Sequence, residues 1–482
     1  MIINLSDVSS NNYEYVIVGT GPGGLSLAIN IATKSKRVLL LEGGGLTYTT
    51  DSQSMYDGIC IGATNYDLKN SRLRVFGGTS NHWTGVCRPL DDIDLLNFPI
   101  DKSDLDPHLA GASEILEIDH KYYERKLNDN FSQIEFKYSP PVNFNYKYKD
   151  FIESSKDIDL VLNANVLSLM GDSTDSNSVR YINVAKNPGD VQKVYVNKLI
   201  IACGGIENSR LMLWSQYLNK KLFKNIVIGK RWMEHPRFDT AMLIGYDEKV
   251  ENIFKKGLIP TSRNLEFIYI NPTEEFITKN KIGNAHIRLI MDPPKKSTPS
   301  LNQLIRDIAC IAPNYGKQLF SLADKKLICG FRVFMVWEQQ PKNENRIELD
   351  FDNKNAFGSP HAKLFWDFDE TDKKTPLVCM KSLGELFIEK NIGRIGIIPT
   401  FANTEDLVVG PGVGAGTGSH HMGGTNMAKD PSKGVVDSNL KVFGVDNLWI
   451  TGSSTFASGG HANPTLTIVQ LSLRLASHLN NL

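Results

Sequence analysis

The chain has 482 residues, and its 53 Lys and Arg residues balance 53 Asp and Glu residues. Because neither charge is in excess, the composition argues against nucleic acid or an anionic membrane surface as a partner and favours a small molecule. No apolar run approaches the length needed to cross a bilayer, and residues 1–12 lack the apolar core of a signal peptide.

The six cysteines have no paired or CxxC spacing. We therefore expect no disulfide framework and no metal site, and a reducing, cytoplasmic location. A chain of this length exceeds what a single hydrophobic core usually organises, so we expect two domains.

The first predicted elements form a nucleotide-binding βαβ unit. A β-branched run, Tyr15–Val18, leads through a glycine-rich turn into an apolar helix, Leu25–Ile31, and a second strand, Arg37–Leu41, delivers Glu42. In such units the glycines bring a pyrophosphate close to the helix N-terminus, and the acid binds a ribose hydroxyl. The turn glycines are Gly19, Gly21 and Gly24. This order predicts dinucleotide binding but does not decide between FAD and NAD.

A glycine-rich loop from Arg74 to Gly85 is too long for a simple turn, and it carries Trp83. Glycines let the backbone approach a ligand closely, and an indole ring offers a flat wall. The loop therefore favours a large planar cofactor, and with it FAD over NAD.

The middle of the chain predicts elements of both domains. We expect a helix over Asp101–Ile118 and strands over Asp159–Leu169 and Val191–Ala202 in the cofactor domain. After Arg237 the glycine-rich turns thin out. The strand-like stretches there are Thr240–Ile244, Ala285–Met291 and Cys329–Gln339, the last followed by Asn345–Leu349.

The C-terminal region carries the candidate chemistry. It has a histidine-bearing loop around His420, a buried strand at Leu448–Ile450, and a helix that starts at Pro464, just after Asn463. Proline suits a first helical turn, and a helix start carries free N–H groups and partial positive charge. A shared sheet would bring His420 and Asn463 to one point.

Five motifs, in order, carry a resemblance that spans almost the whole chain. They are G-T-G-P-G-G with Glu42, G-G-T-S-N-H-W-T-G, A-C-G-G-I-E-N-S-R, H-H-M-G-G, and G-x-S-S-x-F followed by A-N-P-T. Together they resemble the glucose-methanol-choline (GMC) family of FAD-dependent oxidoreductases. The resemblance implies an α/β chain, α+β overall, with a Rossmann-like FAD-binding domain and a second, substrate-binding domain built on an antiparallel sheet. The expected boundaries are 1–110, 155–236 and 405–482 for the first domain, and 111–154 and 237–404 for the second.

The resemblance also implies residue roles. His420 matches the family's catalytic histidine, its spacing to Gly423 favouring it over His421, and Asn463 matches the His/Asn partner. Glu42 and the turn glycines would hold the ADP half of FAD, and Val166 would meet the adenine. The other residues implied to contact FAD are Gly78, Ser80, Asn81, His82, Thr84, Gly452, Ser453, Asn463, Pro464 and Thr465.

His82 holds the position at which pyranose oxidases and choline oxidases of this family attach FAD covalently. Pyranose oxidases also share the run His82, Trp83 and Thr84, which would set Thr84 near flavin N5. Two readings stay open: a covalent link through His82, or a histidine that only packs beside the flavin. We lean towards the covalent link.

Further pocket candidates follow from the same resemblance. His461, just before A-N-P-T, is where other residue types occur in the family, and its alternatives are packing, substrate contact or acid/base chemistry. Trp337, Glu338 and Gln339 end a strand that would roof the site. His235 is interpreted as structural, and the Pro-, Lys- and Ser-rich stretch 292–300 as a surface loop or a lid.

The expected function is oxidation of an alcohol to a carbonyl, with His420 as general base and flavin N5 as hydride acceptor. The loops are closest to sugar-oxidising members, which suggests a sugar, amino sugar, glycoside or related metabolite. The alternatives are a non-redox lyase that keeps FAD, as in hydroxynitrile lyases, an NAD-dependent dehydrogenase, and a flavin-carrying scaffold. The electron acceptor, whether oxygen, a quinone or a protein, stays open.

Overall fold

The computed structural model describes residues 1–9, 12–62, 66–171, 177–245, 267–291, 331–398, 400–401 and 416–482. The strands of this part of the chain are β1 (Tyr15–Val18), β2 (Val38–Leu41), β3 (Gly58–Gly62), β4 (Val86–Cys87), β5 (Glu124–Lys126), β6 (Phe131–Ile134), β7 (Lys137–Tyr138), β8 (Ile158–Val161), β9 (Asn165–Gly171), β10 (Val179–Ala185), β11 (Val191–Tyr195), β12 (Lys198–Ile201), β13 (Pro236–Gly245), β14 (Phe267–Pro272), β15 (Ala285–Met291), β16 (Phe331–Trp337), β17 (Arg346–Lys354), β18 (Pro360–Trp366), β19 (Gly393–Ile397), β20 (Gly416–Thr417) and β21 (Leu448–Ile450).

The α-helices of the described residues are α1 (Pro22–Ala32), α2 (Thr50–Ser54), α3 (Lys102–Leu105), α4 (Leu109–Leu116), α5 (Phe144–Ser154), α6 (Gly204–Leu218), α7 (Glu274–Asn280), α8 (Glu370–Glu389) and α9 (Thr465–Asn480). None of these helices combines the length and the apolar composition that a membrane crossing needs.

A five-stranded parallel sheet organises the first domain. Its strand order is β21-β12-β1-β2-β8, with every neighbouring pair parallel. All residues of β1 and β2 are buried, as expected for strands covered on both faces. Helix α1, which leaves β1 through the glycine turn, packs against α9 from the other end of the chain. This is the Rossmann-like domain, and the predicted strands Tyr15–Val18 and Leu448–Ile450 are confirmed.

A larger antiparallel sheet forms the second domain. It has eight strands in the order β19-β13-β16-β15-β14-β6-β5, with β20 paired to β13. Helix α8 packs on β13, β16 and β19, and its side chains share a hydrophobic core with the sheet. The predicted strand Ala285–Met291 is confirmed. An α/β fold with a parallel cofactor sheet and an antiparallel second sheet is therefore present, as the sequence predicts.

Several smaller expectations were wrong in detail. The predicted helix Asp101–Ile118 is broken into α3, a 3-10 turn at Asp106–His108 and α4, because Pro107 offers no backbone N–H for a continuous helix. The predicted strand Asp159–Leu169 is two strands in two sheets, since the chain turns at Asn163, which has a φ of +54°. The stretch Val191–Ala202 is divided in the same way between β11 and β12.

The two successive stretches Cys329–Gln339 and Asn345–Leu349, predicted as strands near the roof of the site, lie in different sheets. Strand β16 lies in the eight-stranded sheet, whereas β17 pairs with β18 in a three-stranded sheet that also holds β3. The stretch 292–300 lies outside the described residues.

The domain boundaries remain a proposal. Strands β5 and β6 join the antiparallel sheet, but helix α5 places Phe144 and Ile152 in the core of the parallel one.

Candidate active site

A cavity of about 730 Å³ lies between the two sheets. Its wall includes the glycine turn after β1, the loop around Thr79, the histidine loop and the start of α9, together with side chains of the antiparallel sheet. The size falls within the usual range for small-molecule and cofactor sites, roughly 300–1,000 Å³. The motifs that are distant in sequence therefore meet at one site.

The dinucleotide end of the cavity is built around Glu42 at the end of β2. Its carboxylate accepts hydrogen bonds from the Thr20 N–H at 3.1 Å, the Thr20 hydroxyl at 2.6 Å and the Gly44 N–H at 2.8 Å. Burial raises the pKa of this carboxyl above its usual range, although these bonds act in the opposite direction. Glu42 thus clamps the glycine turn and still presents an edge to the cavity.

The glycine turn has the close approaches that a bound pyrophosphate requires. A Cβ on Gly24 would lie 2.0 Å from the Gly19 carbonyl oxygen, so that helix α1 can start this close to β1 only without a side chain there. A Cβ on Gly21 would meet nothing within 4 Å, and Gly78 packs directly against the turn, because its own Cβ would be 3.1 Å from the Gly21 Cα. The cradle is open where a phosphate group would lie against the N-terminus of α1.

The predicted flavin loop is held by its own hydrogen bonds. Ser80 Oγ donates to the Gly77 carbonyl at 2.7 Å and accepts from the Phe144 N–H at 3.2 Å. Asn81 Nδ2 donates to the Phe76 and Gly78 carbonyls, at 3.0 and 2.7 Å. Ser80 lies on the cavity wall and Asn81 does not. The conformation of the loop is therefore held by hydrogen bonds within the protein.

His82 and Thr84 line the cavity from the end of this loop, where His82 is partly desolvated. Burial lowers the pKa of His82, which keeps its imidazole neutral at neutral pH. Between them, Trp83 anchors the loop because its indole N–H donates to the Val142 carbonyl at 2.8 Å.

A chain of hydrogen bonds connects the two predicted catalytic residues to a third. Asn463 Nδ2 lies 3.2 Å from His420 Nε2, and His420 Nδ1 lies 2.8 Å from His235 Nδ1. The other nitrogen of His235, Nε2, lies 2.8 Å from the carbonyl oxygen of Gly460. The residue just before β13, the histidine loop and the loop before α9 are thus joined by one chain of hydrogen bonds.

These contacts fix where the protons are. A carbonyl can only accept, so His235 Nε2 carries a hydrogen, and a neutral His235 then offers a lone pair at Nδ1. His420 Nδ1 must donate to that lone pair, which leaves His420 Nε2 unprotonated beside Asn463. His420 therefore presents a free base to the cavity.

Burial keeps both histidines neutral. Desolvation is the main reason why the pKa of His420 lies well below its usual value, and the nearby His235 and Arg237 lower it further. Burial lowers the pKa of His235 to about 4. At neutral pH neither ring is charged, so that the proton arrangement above is the populated one.

Glu234 ties the two histidine-bearing segments together. Its Oε1 accepts from the backbone N–H groups of His420 at 2.6 Å and His235 at 2.9 Å, and its Oε2 accepts from the Tyr66 hydroxyl at 2.6 Å. Burial raises the pKa of this carboxyl to about 7. The spacing between the His420 and His235 rings therefore depends on one buried acid.

Some predicted site residues lie away from the cavity wall. Val166 is on β9, in a separate three-stranded sheet, and Trp337, Glu338 and Gln339 are buried behind the wall. Gln339 Nε2 donates to Asp372 at 2.9 Å, and Glu338 accepts from the backbone N–H groups of Asn284 and Gly460. These buried residues support the loop before α9 or the hydrophobic core of the antiparallel sheet.

His461 is completely buried, and it too is absent from the cavity wall. Its Nε2 lies 2.9 Å from an Asp91 carboxylate oxygen, while its carbonyl accepts from His286 Nδ1 at 2.9 Å. Of the roles considered for it, this placement favours packing. The remaining predicted residues, Gly452, Ser453, Asn463, Pro464 and Thr465, all lie on the cavity wall.

Sequence reasoning missed several residues of the wall. His286, Val336, Arg237, Arg288 and Tyr138 line the cavity from the antiparallel sheet and the adjoining β7. The alternation of His286 and Arg288 along a predicted strand could have indicated a shared face, because every second residue of a strand points the same way. The contact between His235 and His420 has no local sequence signal.

Residues 341–472 match the family model described as GMC oxidoreductase. This C-terminal stretch is thus similar to GMC oxidoreductases. The chain is 29% identical over 166 residues to the fructose dehydrogenase large subunit of Gluconobacter japonicus, covering 34% of this chain and 28% of that one. It is 28% identical over 148 residues to the 2-methyl-1,2-propanediol dehydrogenase of Mycolicibacterium austroafricanum, covering 31% and 25% of the two chains. The match thus spans about a quarter of each of these curated relatives.

Among solved structures, the chain resembles pyridoxine 4-oxidase from Mesorbium loti, with a TM-score of 0.60 at 13% identity, over 98% of this chain and 100% of that one. That likeness extends the shared fold to both domains. FAD is the cofactor of the family, and the open glycine cradle, the hydrogen-bonded loop and the cavity volume fit it. The glycine turn and Glu42 would hold the ADP half, and Ser80, His82, Thr84 and the start of α9 the flavin half.

Proposed function

We propose that this protein oxidises a CH–OH group of a small molecule to a carbonyl. The observation that carries the proposal is the hydrogen-bond chain from Asn463 through His420 to His235, which leaves an unprotonated Nε2 on the cavity wall. A positioned base of this kind contributes roughly 10²–10⁴-fold to a rate. When bound, FAD supplies the hydride acceptor.

The chain's own residues divide the remaining work. His420 Nε2 takes the hydroxyl proton of the substrate, and Asn463 Nδ2, which now donates to that nitrogen, donates instead to the substrate oxygen. His235 holds the proton on His420 Nδ1 throughout. The free N–H groups at the start of α9 stabilise negative charge on the cofactor side of the site.

For the substrate class we propose a sugar, amino sugar, glycoside or related polyol. The similarity to a protein named fructose dehydrogenase large subunit supports this choice. The rival is a non-redox lyase that keeps FAD on the same scaffold. It would hold oxidised flavin that no alcohol reduces.

The test is an anaerobic absorbance spectrum of the purified protein before and after addition of sugars, sugar acids and simple alcohols. One class of alcohol should bleach the flavin, and readmitted air then separates an oxidase from a dehydrogenase. His420→Ala should keep FAD and lose flavin reduction by about 10²-fold or more. Near-normal flavin reduction in this variant would show that another residue is the general base.

Acid precipitation of the same sample tests the link through His82, which we keep as part of the proposal. The wild-type flavin should stay in the pellet and that of His82→Ala should enter the supernatant. Release from the wild type would rule out the covalent link without affecting the proposed oxidation.

A further inference from the structure

The face of the antiparallel sheet that borders the cavity carries two arginines. Arg237 on β13 and His286 on β15 are both paired with Val336 on β16, and all three line the cavity. In the next cross-strand row, Arg288 is paired with Phe334. Residues in register across a sheet share a face, and so do residues two apart along a strand. Both guanidinium groups therefore lie on the wall that faces His420.

The aromatic ring between them fixes both side chains. The Arg288 guanidinium lies 4.4 Å from the centroid of the Phe334 ring, and that of Arg237 lies 5.2 Å from it. Arg288 is also hydrogen-bonded to the buried Tyr269. For Arg237, a guanidinium stacked on a ring keeps its N–H edge available for other partners. The pair is thus pre-oriented.

One carboxylate near Arg237 is already engaged. Asp239, in the same cross-strand row as Phe334, forms an ion pair with Arg332 at 3.1 Å. Within the described part of the chain, Arg237 has no carboxylate oxygen within 4.0 Å of its guanidinium. The other cavity arginine, Arg72, is paired with Glu207 at 3.0 Å.

The charge of the wall is therefore uneven. Among the described residues that line it, the acidic one is Glu42 at the dinucleotide end, whereas Arg237 and Arg288 are on the sheet that faces the catalytic pair. The charge on Arg237 reaches His420, because it is among the causes that lower the pKa of that imidazole after burial and His235. An anion bound beside Arg237, on the same wall as Arg288, would offset the Arg237 charge in this partly enclosed site.

We propose that Arg237 and Arg288 bind an anionic group of the substrate, so that the alcohol oxidised at His420 belongs to a molecule with a carboxylate or a phosphate ester. A guanidinium fork matches either oxoanion with two parallel hydrogen bonds. Hydroxy acids, sugar acids and sugar phosphates fit this subsite. Within the substrate class proposed above, the subsite thus favours acidic members over amino sugars, whose ammonium group would face two like charges. This inference rests on the proposed function in one respect: the proposed oxidation places the substrate alcohol at His420. The binding of an anion by the arginines does not depend on it.

The test compares charged ligands with neutral partners of similar shape on the holoenzyme. D-gluconate is paired with D-glucitol and glucose 6-phosphate with glucose, and acetate and inorganic phosphate serve as minimal anions. Binding is measured from the perturbation of the oxidised flavin spectrum, and turnover from anaerobic bleaching. The variants are Arg237→Gln and Arg288→Gln. Arg394→Gln is the control, because Arg394 is exposed on β19 of the same sheet.

At least one anion should bind about 10-fold more tightly than its neutral partner. Each cavity variant should reduce that ratio by about 10-fold while FAD content stays unchanged, and the control should keep it. Higher ionic strength should weaken the anion alone. The carboxylate and phosphate arms identify which oxoanion the pair prefers.

Equal binding of charged and neutral partners, discrimination that survives in both variants, or no spectral response to any anion would each overturn the subsite. Arg-dependent anion binding without bleaching by any alcohol would leave the subsite standing and remove the proposed oxidation. Bleaching by neutral alcohols without any preference for charged ligands would remove the subsite and leave the proposed oxidation standing.

Discussion

The base at the centre of this site owes its proton arrangement to a neighbour. His420 can act only if its Nε2 is unprotonated, and that requires an acceptor at Nδ1, which His235 provides at 2.8 Å. His235 in turn is fixed by the Gly460 carbonyl. It is thus a positioning residue, which acts on the substrate only through His420.

Replacing His235 should separate this role from simple packing. In His235→Leu the acceptor is lost, and we expect flavin reduction to fall on the order of 10²-fold while FAD stays bound. In His235→Asn the side-chain amide oxygen can take the place of Nδ1, so reduction should stay within about 10-fold of wild type. Stopped-flow flavin reduction measures both. Equal losses in the two variants would mean that His235 only fills space.

Glu234 gives the protein a pH-dependent stability that can be isolated. Its folded pKa is about 7, raised from 4.5 by burial, so the folded chain keeps this proton where the unfolded chain has lost it. The stabilisation is complete below pH 4.5 and is lost as the pH rises to about 7. A shift of this size corresponds to something on the order of 3 kcal/mol.

Glu234→Gln should remove that dependence. Urea unfolding at several pH values between 4.5 and 7.5 should show wild type losing stability relative to the variant as the pH rises. Asp57→Asn, at a side chain that is 47% exposed and bonded to Lys69, is the matched control and should follow wild type. Parallel curves for wild type and Glu234→Gln would contradict the burial argument.

At the scale of elements, two glycine substitutions at the start of helix α1 should distinguish an effect on folding from an effect on cofactor binding. Gly24→Ala would force a methyl group to within 2.0 Å of the Gly19 carbonyl, so we expect a lower melting temperature and no FAD. Gly21→Ala meets nothing within 4 Å of its Cβ in the protein, but it would fill the cradle, so the fold should persist with little FAD. Circular dichroism melts and flavin absorbance distinguish them. A Gly21→Ala variant with full FAD content would place the pyrophosphate elsewhere.

How far the elements could be predicted depends on how local their causes are. Tyr15–Val18 and Leu448–Ile450 were predicted because buried parallel strands appear as short apolar runs. The helix over Asp101–Ile118 failed at Pro107, although the apolar spacing on both sides of it is helical. The stretch Asp159–Leu169 reads as one strand, and nothing in its composition indicates that the chain changes sheets at Asn163.

At the scale of the whole molecule, the site depends on contacts that no local pattern encodes. His420 and Asn463 could be placed from motifs, but His235 and Glu234 reach His420 from 185 and 186 positions away. The arginine pair needed the register of β13, β15 and β16, which composition does not determine. The sequence therefore predicts the fold class and the names of the motif residues, and tertiary structure supplies the proton arrangement and the charge of the pocket.

The pairing of β21 with β12 and of α9 with α1 has a consequence for synthesis. While a ribosome is still making the chain, the nucleotide-binding unit has emerged but lacks its last strand and the helix that covers α1. An unpaired strand edge and an uncovered apolar helix face are the surfaces from which aggregation starts. Until β21 and α9 have been made, a nascent chain therefore exposes both of these surfaces.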